Sequence, residues 1–112
     1  MARKSYAYVR AHRRKWGLTQ VELARLIGLA SCSAVSRIER AERVPTTATV
    51  IACSIVFGLA MPDLFPSLHG DVEEGVKVAV LALLDELAGL TDQATVRKRA
   101  LLMQILERIN NS

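Results

Sequence analysis

The chain has 112 residues, enough for one compact domain or one domain with a helical appendix, and 51% of them are hydrophobic, which excludes general disorder. No apolar run reaches the roughly 18 residues of a membrane span, and the opening MARKSYAYVRAHRRK has no signal-peptide core, so the expectation is a cytoplasmic chain without membrane association. The net charge of +4 hides a bipolar molecule: residues 1–45 carry ten Lys or Arg against three acids (+7), 46–92 one base against seven acids (−6), and 93–112 four bases against one acid (+3).

In chain order the pattern is helical throughout, and no segment alternates with the period of a strand. Tyr6, Val9, Arg13 and Trp16 lie at helical spacing, and Gly17 is a natural stop. Thr19 fits an N-cap before the apolar set Val21, Leu23, Ala24, Leu26 and Ile27, with Glu22 completing a capping box. Gly28 ends that helix. A third helix begins near Ser31 or Cys32, buries Val35 and Ile38, and runs to about Arg40. After Pro45, Thr46 or Thr47 caps a nearly all-apolar helix containing Val50 to Phe57, stopped by Gly58; Pro62 and Pro66 bracket a short helical turn with Leu64 and Phe65.

Composition shifts at Ser67–Gly70, which places a domain boundary between 1–69 and 70–112. Asp71 and Glu74 repeat the capping-box pattern, so a sixth helix is expected to start there. Val76, Val80, Leu83 and Leu87 then follow the 4-3-4 spacing of a heptad stripe, flanked by Val72, Ala79 and Leu84. Gly89 and Thr91 break that helix. A last one gathers Leu101, Leu102, Ile105, Leu106 and Ile109 on one face, with Arg97, Lys98 and Arg99 expected in its first turn, where they oppose the macrodipole.

Two short helices joined by a tight turn in a basic, all-helical segment are the parts of a helix-turn-helix. Leu18-Thr19-Gln20, Glu22-Leu23-Ala24, Ser36-Arg37-Ile38-Glu39-Arg40 and Pro45, followed by Phe57-Gly58-Leu59 and Asp63-Leu64-Phe65, stand in order over about residues 6–66. This stretch resembles the Cro/lambda-repressor-type, XRE-like helix-turn-helix family of transcriptional regulators. The resemblance implies an all-α fold: a five-helix lambda-repressor-like DNA-binding domain, here followed by two C-terminal helices. It implies base contacts from Cys32, Ser33 and Arg37, and Ser36 lies on the same groove side of the helix. Arg37 is the residue whose guanidinium can bind guanine O6 and N7 together, while Cys32 offers van der Waals contact.

For the phosphates, the resemblance points to Gln20 and the helix start at Thr19, and the basic residues Arg14, Lys15, Arg40 and Arg43 are further candidates. Arg13 and Glu39 align with a structural ion pair that joins the first helix to the third. Two departures stand out: one extra residue between Gly28 and Glu39, and Ala41 where the family usually has glycine. The partner implied is double-stranded DNA, read as a palindromic operator by a homodimer acting as a repressor. Dimerisation falls to Val76, Val80, Leu83, Leu87, Leu102, Ile105 and Ile109, unless these close a hairpin within one chain. A second reading makes the acidic 46–92 segment a docking surface for a protein partner, as in an antitoxin-like or adaptor module with an autoregulatory helix-turn-helix. No enzyme, cofactor or metal is expected: Cys32, Cys53, His12 and His69 share no ligand spacing, and there is no Gly-rich phosphate loop.

Overall fold

The computed structural model describes residues 8–111. Tyr6 of the first apolar face and the basic pair Arg3 and Lys4 lie outside that range. The described residues form seven helices and no strand: α1 (Val9–Lys15), α2 (Gln20–Leu26), α3 (Cys32–Glu39), α4 (Thr47–Phe57), α5 (Met61–Leu64), α6 (Pro66–Glu86) and α7 (Gln93–Asn110). The chain divides into two compact units between His69 and Gly70, a division that falls inside α6.

The first unit is built around Val9 of α1, Leu23, Ala24 and Ile27 of the α2 region, Val35 and Ile38 of α3, Cys53 of α4, and Leu64 with Phe65 at the end of α5. Leu23, Cys53 and Leu64 are wholly excluded from solvent. Each of the first three helices is too short to persist alone in water. Their stability comes from this shared core, where full burial of one leucine contributes roughly 1.5–3 kcal/mol. Burial also raises the Cys53 thiol pKa to about 11, which keeps it a neutral packing group. The N-terminus of α1 is tied down by the Tyr8 amide, which donates to the Leu64 carbonyl at 2.8 Å.

Local chemistry explains most boundaries. Thr19 Oγ1 accepts from the Glu22 amide at 3.1 Å while Glu22 Oε1 accepts from the Thr19 amide at 2.9 Å, a complete capping box on α2. The hydrogen bond from the Thr19 amide, followed by that from the Thr19 side chain, holds the Glu22 carboxyl below its ordinary pKa. Thr46 rather than Thr47 caps α4, by accepting from the Thr49 amide. The turn after α2 runs Gly28 to Ala30, with Gly28 left-handed at φ 74°, so the extra residue is absorbed there. Ser31 is then the extended N-cap of α3, and Cys32 is its first residue.

In the second unit, two expectations are corrected. α6 starts at Pro66, so the Asp71–Glu74 pattern sits inside a helix and forms no cap. Proline fits the first helical turn because its missing N–H would have no partner there. α7 starts at Gln93, which moves Arg97, Lys98 and Arg99 out of the first turn. Asp92 caps it through the Thr95 amide (3.1 Å) and the Thr95 hydroxyl (2.6 Å), and these bonds, the hydroxyl's first, lower the Asp92 pKa. Arg99 instead reaches back to the Leu87 and Leu90 carbonyls at 2.9 and 3.1 Å, binding the end of α6. The two helices form a hairpin whose core is Val80, Leu87 and Leu102, with Leu84, Ile105 and Leu106 partly buried against it.

Candidate nucleic-acid interface

α3 is amphipathic in a way its sequence dictates. At 100° per residue Val35 and Ile38 point one way, and both are buried. Ser33, Ser36, Arg37 and Arg40 fall on the opposite side. Ser33, Arg37 and Arg40 are exposed, while Ser36 and Cys32 are half-buried. Small hydroxyls beside Arg37, with Arg40 only at the C-cap, leave the body of the helix narrow enough for a groove about 12 Å wide. α2 packs directly against α3, so the face bearing Ser33 and Arg37 is carried on a second helix rather than on a loop.

The end of α3 is fixed by charge. Glu39 accepts from Arg13 Nε at 2.6 Å and from Arg13 Nη2 at 3.1 Å, a bidentate pair with side-chain exposures of 2% and 11% respectively. Arg13 Nη1 also donates to the Leu18 carbonyl at 2.9 Å, and Gln20 Nε2 donates to Glu39 at 3.1 Å. One carboxylate therefore joins α1, the start of α2 and the end of α3. The hydrogen bond from Glu39, ahead of the opposing effect of burial, raises the Arg13 pKa above its ordinary value, so the guanidinium stays charged. With its remaining donors satisfied, the pair fixes geometry more than it adds net stability.

A family model described as a helix-turn-helix domain matches residues 7–68, which is more than half of the chain. The chain belongs to the helix-turn-helix domain family. Comparison with curated proteins and with solved structures gives no match. The matched region takes in α1 to α5, the Arg13–Glu39 pair and the whole of α3.

This DNA-binding helix-turn-helix places the remaining candidates as follows. Thr19 and Gln20 stand at the start of α2, Gln20 with its amide nitrogen on Glu39 and Thr19 with its hydroxyl in the capping box. Arg14 and Lys15 are exposed in the last turn of α1, where positive charge complements the helix dipole. Lys15 Nζ lies 5.5 Å over the exposed Trp16 ring. Arg43 is exposed in the loop after α3, and Arg40 makes only an exposed pair with Glu42 at 3.3 Å. Exposed pairs of this kind are worth under about 1 kcal/mol, so Arg40 can exchange its partner readily.

The position of Ala41, where the family usually has glycine, is left-handed at φ 59° in the turn that closes α3. Two features have no signal in the sequence pattern. Gln20 belongs to the Glu39 network, a contact between residues 19 apart that no local pattern announces. And α4 turns Ile51 and Ile55 to solvent on a stretch with no charged residue between Arg43 and Asp63. The acids of the 46–92 segment begin only at Asp63. No described helix is long and apolar enough to cross a membrane, and no described group of His, Cys, Asp and Glu could hold a metal ion.

Proposed function

We propose that the protein is a dimeric, sequence-specific transcriptional repressor that reads a palindromic operator through the major groove. The observation that carries this reading is α3 itself: an eight-residue helix packed on α2 through Val35 and Ile38, with Ser33 and Arg37 turned to solvent. Arg37 reads a guanine edge, while Cys32, Ser33 and Ser36 contact neighbouring bases. Thr19 and Gln20 at the start of α2, with Arg14, Lys15, Arg40 and Arg43, hold phosphates and set the register. The hairpin bearing Val76, Val80, Leu83, Leu87, Leu102, Ile105 and Ile109 supplies self-association.

Selection of bound duplexes from a random pool tests this. The expected result is an enriched inverted repeat with half-sites about 10 base pairs apart, or a multiple of that spacing. Recovery of no preferred sequence would overturn sequence-specific readout. A single unrepeated half-site would overturn the dimeric part alone.

A further inference from the structure

The second unit uses only part of its apolar surface. Its hairpin buries Val80, Leu87 and Leu102, yet Val72, Val76, Leu83 and Leu101 remain 40–56% exposed. Forty-odd residues with so small a core are below the size at which a hairpin normally stands without a staple or a partner. Helical periodicity shows where the leftover surface lies. On α6, Val72, Val76, Ala79 and Leu83 fall within about 60° of arc, beside the Val80–Leu84–Leu87 seam. On α7, Ala94, Leu101 and Ile105 fall within about 40°, beside Leu102. Because the helices of a hairpin run antiparallel, these two arcs flank the seam on the same side and form one continuous face. The opposite side of the hairpin carries Leu81, Val96 and Met103, interrupted by Lys77 and Glu107.

Charge on the rim of this face selects its occupant. The outer edge of α6 carries Glu86, and the outer edge of α7 carries Arg97 and Arg108, with Lys98 entering the face between Ala94 and Leu101. Within one chain Glu86 and Arg97 point away from each other on opposite edges of the hairpin. Among the described residues neither has an ion-pair partner. A second copy placed by a two-fold axis parallel to the helices lays α6 over the partner's α7. That sets an acidic edge against a basic one, twice. Glu86 is the last residue of α6 and Arg97 the fifth of α7, an axial offset of about 6 Å that the two long side chains span across the two-fold. A two-fold perpendicular to the helices would lay α6 on α6, with acid facing acid and base facing base. The helical part of each hairpin is about 25 Å long and two helices wide, so the pair covers on the order of 1,000 Å² in total, the lower bound for a specific interface.

We infer that the hairpin is the dimerisation module. Two copies form a four-helix bundle through the Val72–Val76–Leu83–Leu101 face, with α6 on the partner's α7 and Glu86 paired to the partner's Arg97. This rests on the dimeric reading above and specifies its interface. Of the residues that the sequence assigns to dimerisation, Val76 and Leu83 face the partner, half-buried Ile105 and Ile109 border the hairpin core, and Val80, Leu87 and Leu102 are buried within the chain.

The test uses the full chain without DNA, by sedimentation at micromolar concentration and by native mass spectrometry of mixtures. Wild type is dimeric. Leu101→Glu is monomeric, with far-UV helicity retained because the position is half exposed, whereas Val96→Glu, equally exposed on the opposite side, remains a dimer. Glu86→Lys and Arg97→Glu each weaken the homodimer about tenfold, since both symmetric pairs become repulsive. Mixed together, the two single variants form a heterodimer of wild-type strength, because both of its pairs are again opposite in sign. A monomeric wild type, a Leu101→Glu dimer, or a mixture with no preference for the heterodimer would each overturn the bundle. DNA binding is measured separately on the same samples. A monomer that selects a sequence refutes this interface and keeps sequence-specific readout; a bundle that binds no DNA does the reverse.

Discussion

Replacing Ala41 with glycine should stabilise the DNA-binding unit. The turn after α3 closes with the Glu42 amide on the Arg37 carbonyl at 2.8 Å and the Ala41 amide on the Ile38 carbonyl at 3.1 Å. These are the two bonds of a Schellman motif, and its pivot residue, Ala41, is left-handed at φ 59°. A Cβ in that region costs roughly 1–2 kcal/mol. Glycine removes that cost but gives back about 0.4–1 kcal/mol through the greater freedom of the unfolded chain. The net gain is about 0.5–1 kcal/mol, which for a unit of this size raises the melting temperature by about 2–8 °C. The mirror experiment is Gly58→Ala. Gly58 ends α4 at φ 66° with open space where a Cβ would stand, so the loss there is backbone strain without a clash, of similar size and opposite sign. The two positions end different helices, and their effects should nearly cancel in the double variant. Thermal and urea melts of the four proteins decide. A lower midpoint for Ala41→Gly, or a higher one for Gly58→Ala, would refute the argument from backbone conformation.

Other expectations follow from the same contacts. Glu39→Gln should destabilise by about 3 kcal/mol in urea titration, because the buried Arg13 charge loses its counter-ion, and an apolar Arg13→Met/Glu39→Leu pair should recover most of the loss. Arg37→Ala should cost roughly 1–3 kcal/mol on the selected DNA and relax preference at one base pair per half-site, whereas Arg14→Ala should weaken all sequences alike and reduce the log–log salt slope by about one per subunit. Equal losses on selected and random DNA for Arg37→Ala would make it a phosphate contact. Glu22 and Asp92 both have pKa values lowered on folding, so their stabilisation is present above the ordinary carboxylate range and is lost as pH falls through the folded values. A Glu22→Gln/Asp92→Asn variant should therefore lose less melting temperature than wild type between neutral and acid pH; parallel curves would exclude this origin.

Short-range chemistry was the legible part of the fold. Thr19 and Glu22 lie three residues apart, and their capping box needs nothing beyond the helix they start. Val35 and Ile38 identify the buried side of α3 because the rest of it holds only small or polar residues. The same logic fails on α4, which is apolar all round, so nothing in its pattern shows that Cys53 is inside and Ile55 outside. It fails again at Asp71. A capping box is informative only where unpaired amides exist, and the helix begun at Pro66 has already paired them. At α7 the competing signal was local too: Asp92 and Thr95 form the cap, whereas the continuous apolar face starts only at Leu101, about two turns further on.

The same distinction bears on how readout is held in place. α3 is too short to hold its own shape, and the structure gives it no side-chain cap at Ser31. Its geometry is therefore imposed by packing from beneath and by its C-terminal end, where Glu39 ties it to Arg13 and Gln20 and the Ala41 turn closes its last carbonyls. Both anchors sit within four residues of Arg37, the one long hydrogen-bonding side chain proposed to read a base. A base contact requires an orientation good to a fraction of an ångström, whereas a phosphate contact through a flexible lysine or arginine does not. Loosening Glu39 should for that reason damage discrimination between sequences before it damages affinity for DNA in general. Gln20 makes the coupling tighter still, because the residue expected to meet a phosphate at the start of α2 is hydrogen-bonded to the carboxylate that orients the reading helix. In the proposed complex, docking on the backbone and aiming at the bases both pass through one side chain, Glu39, which makes neither contact itself.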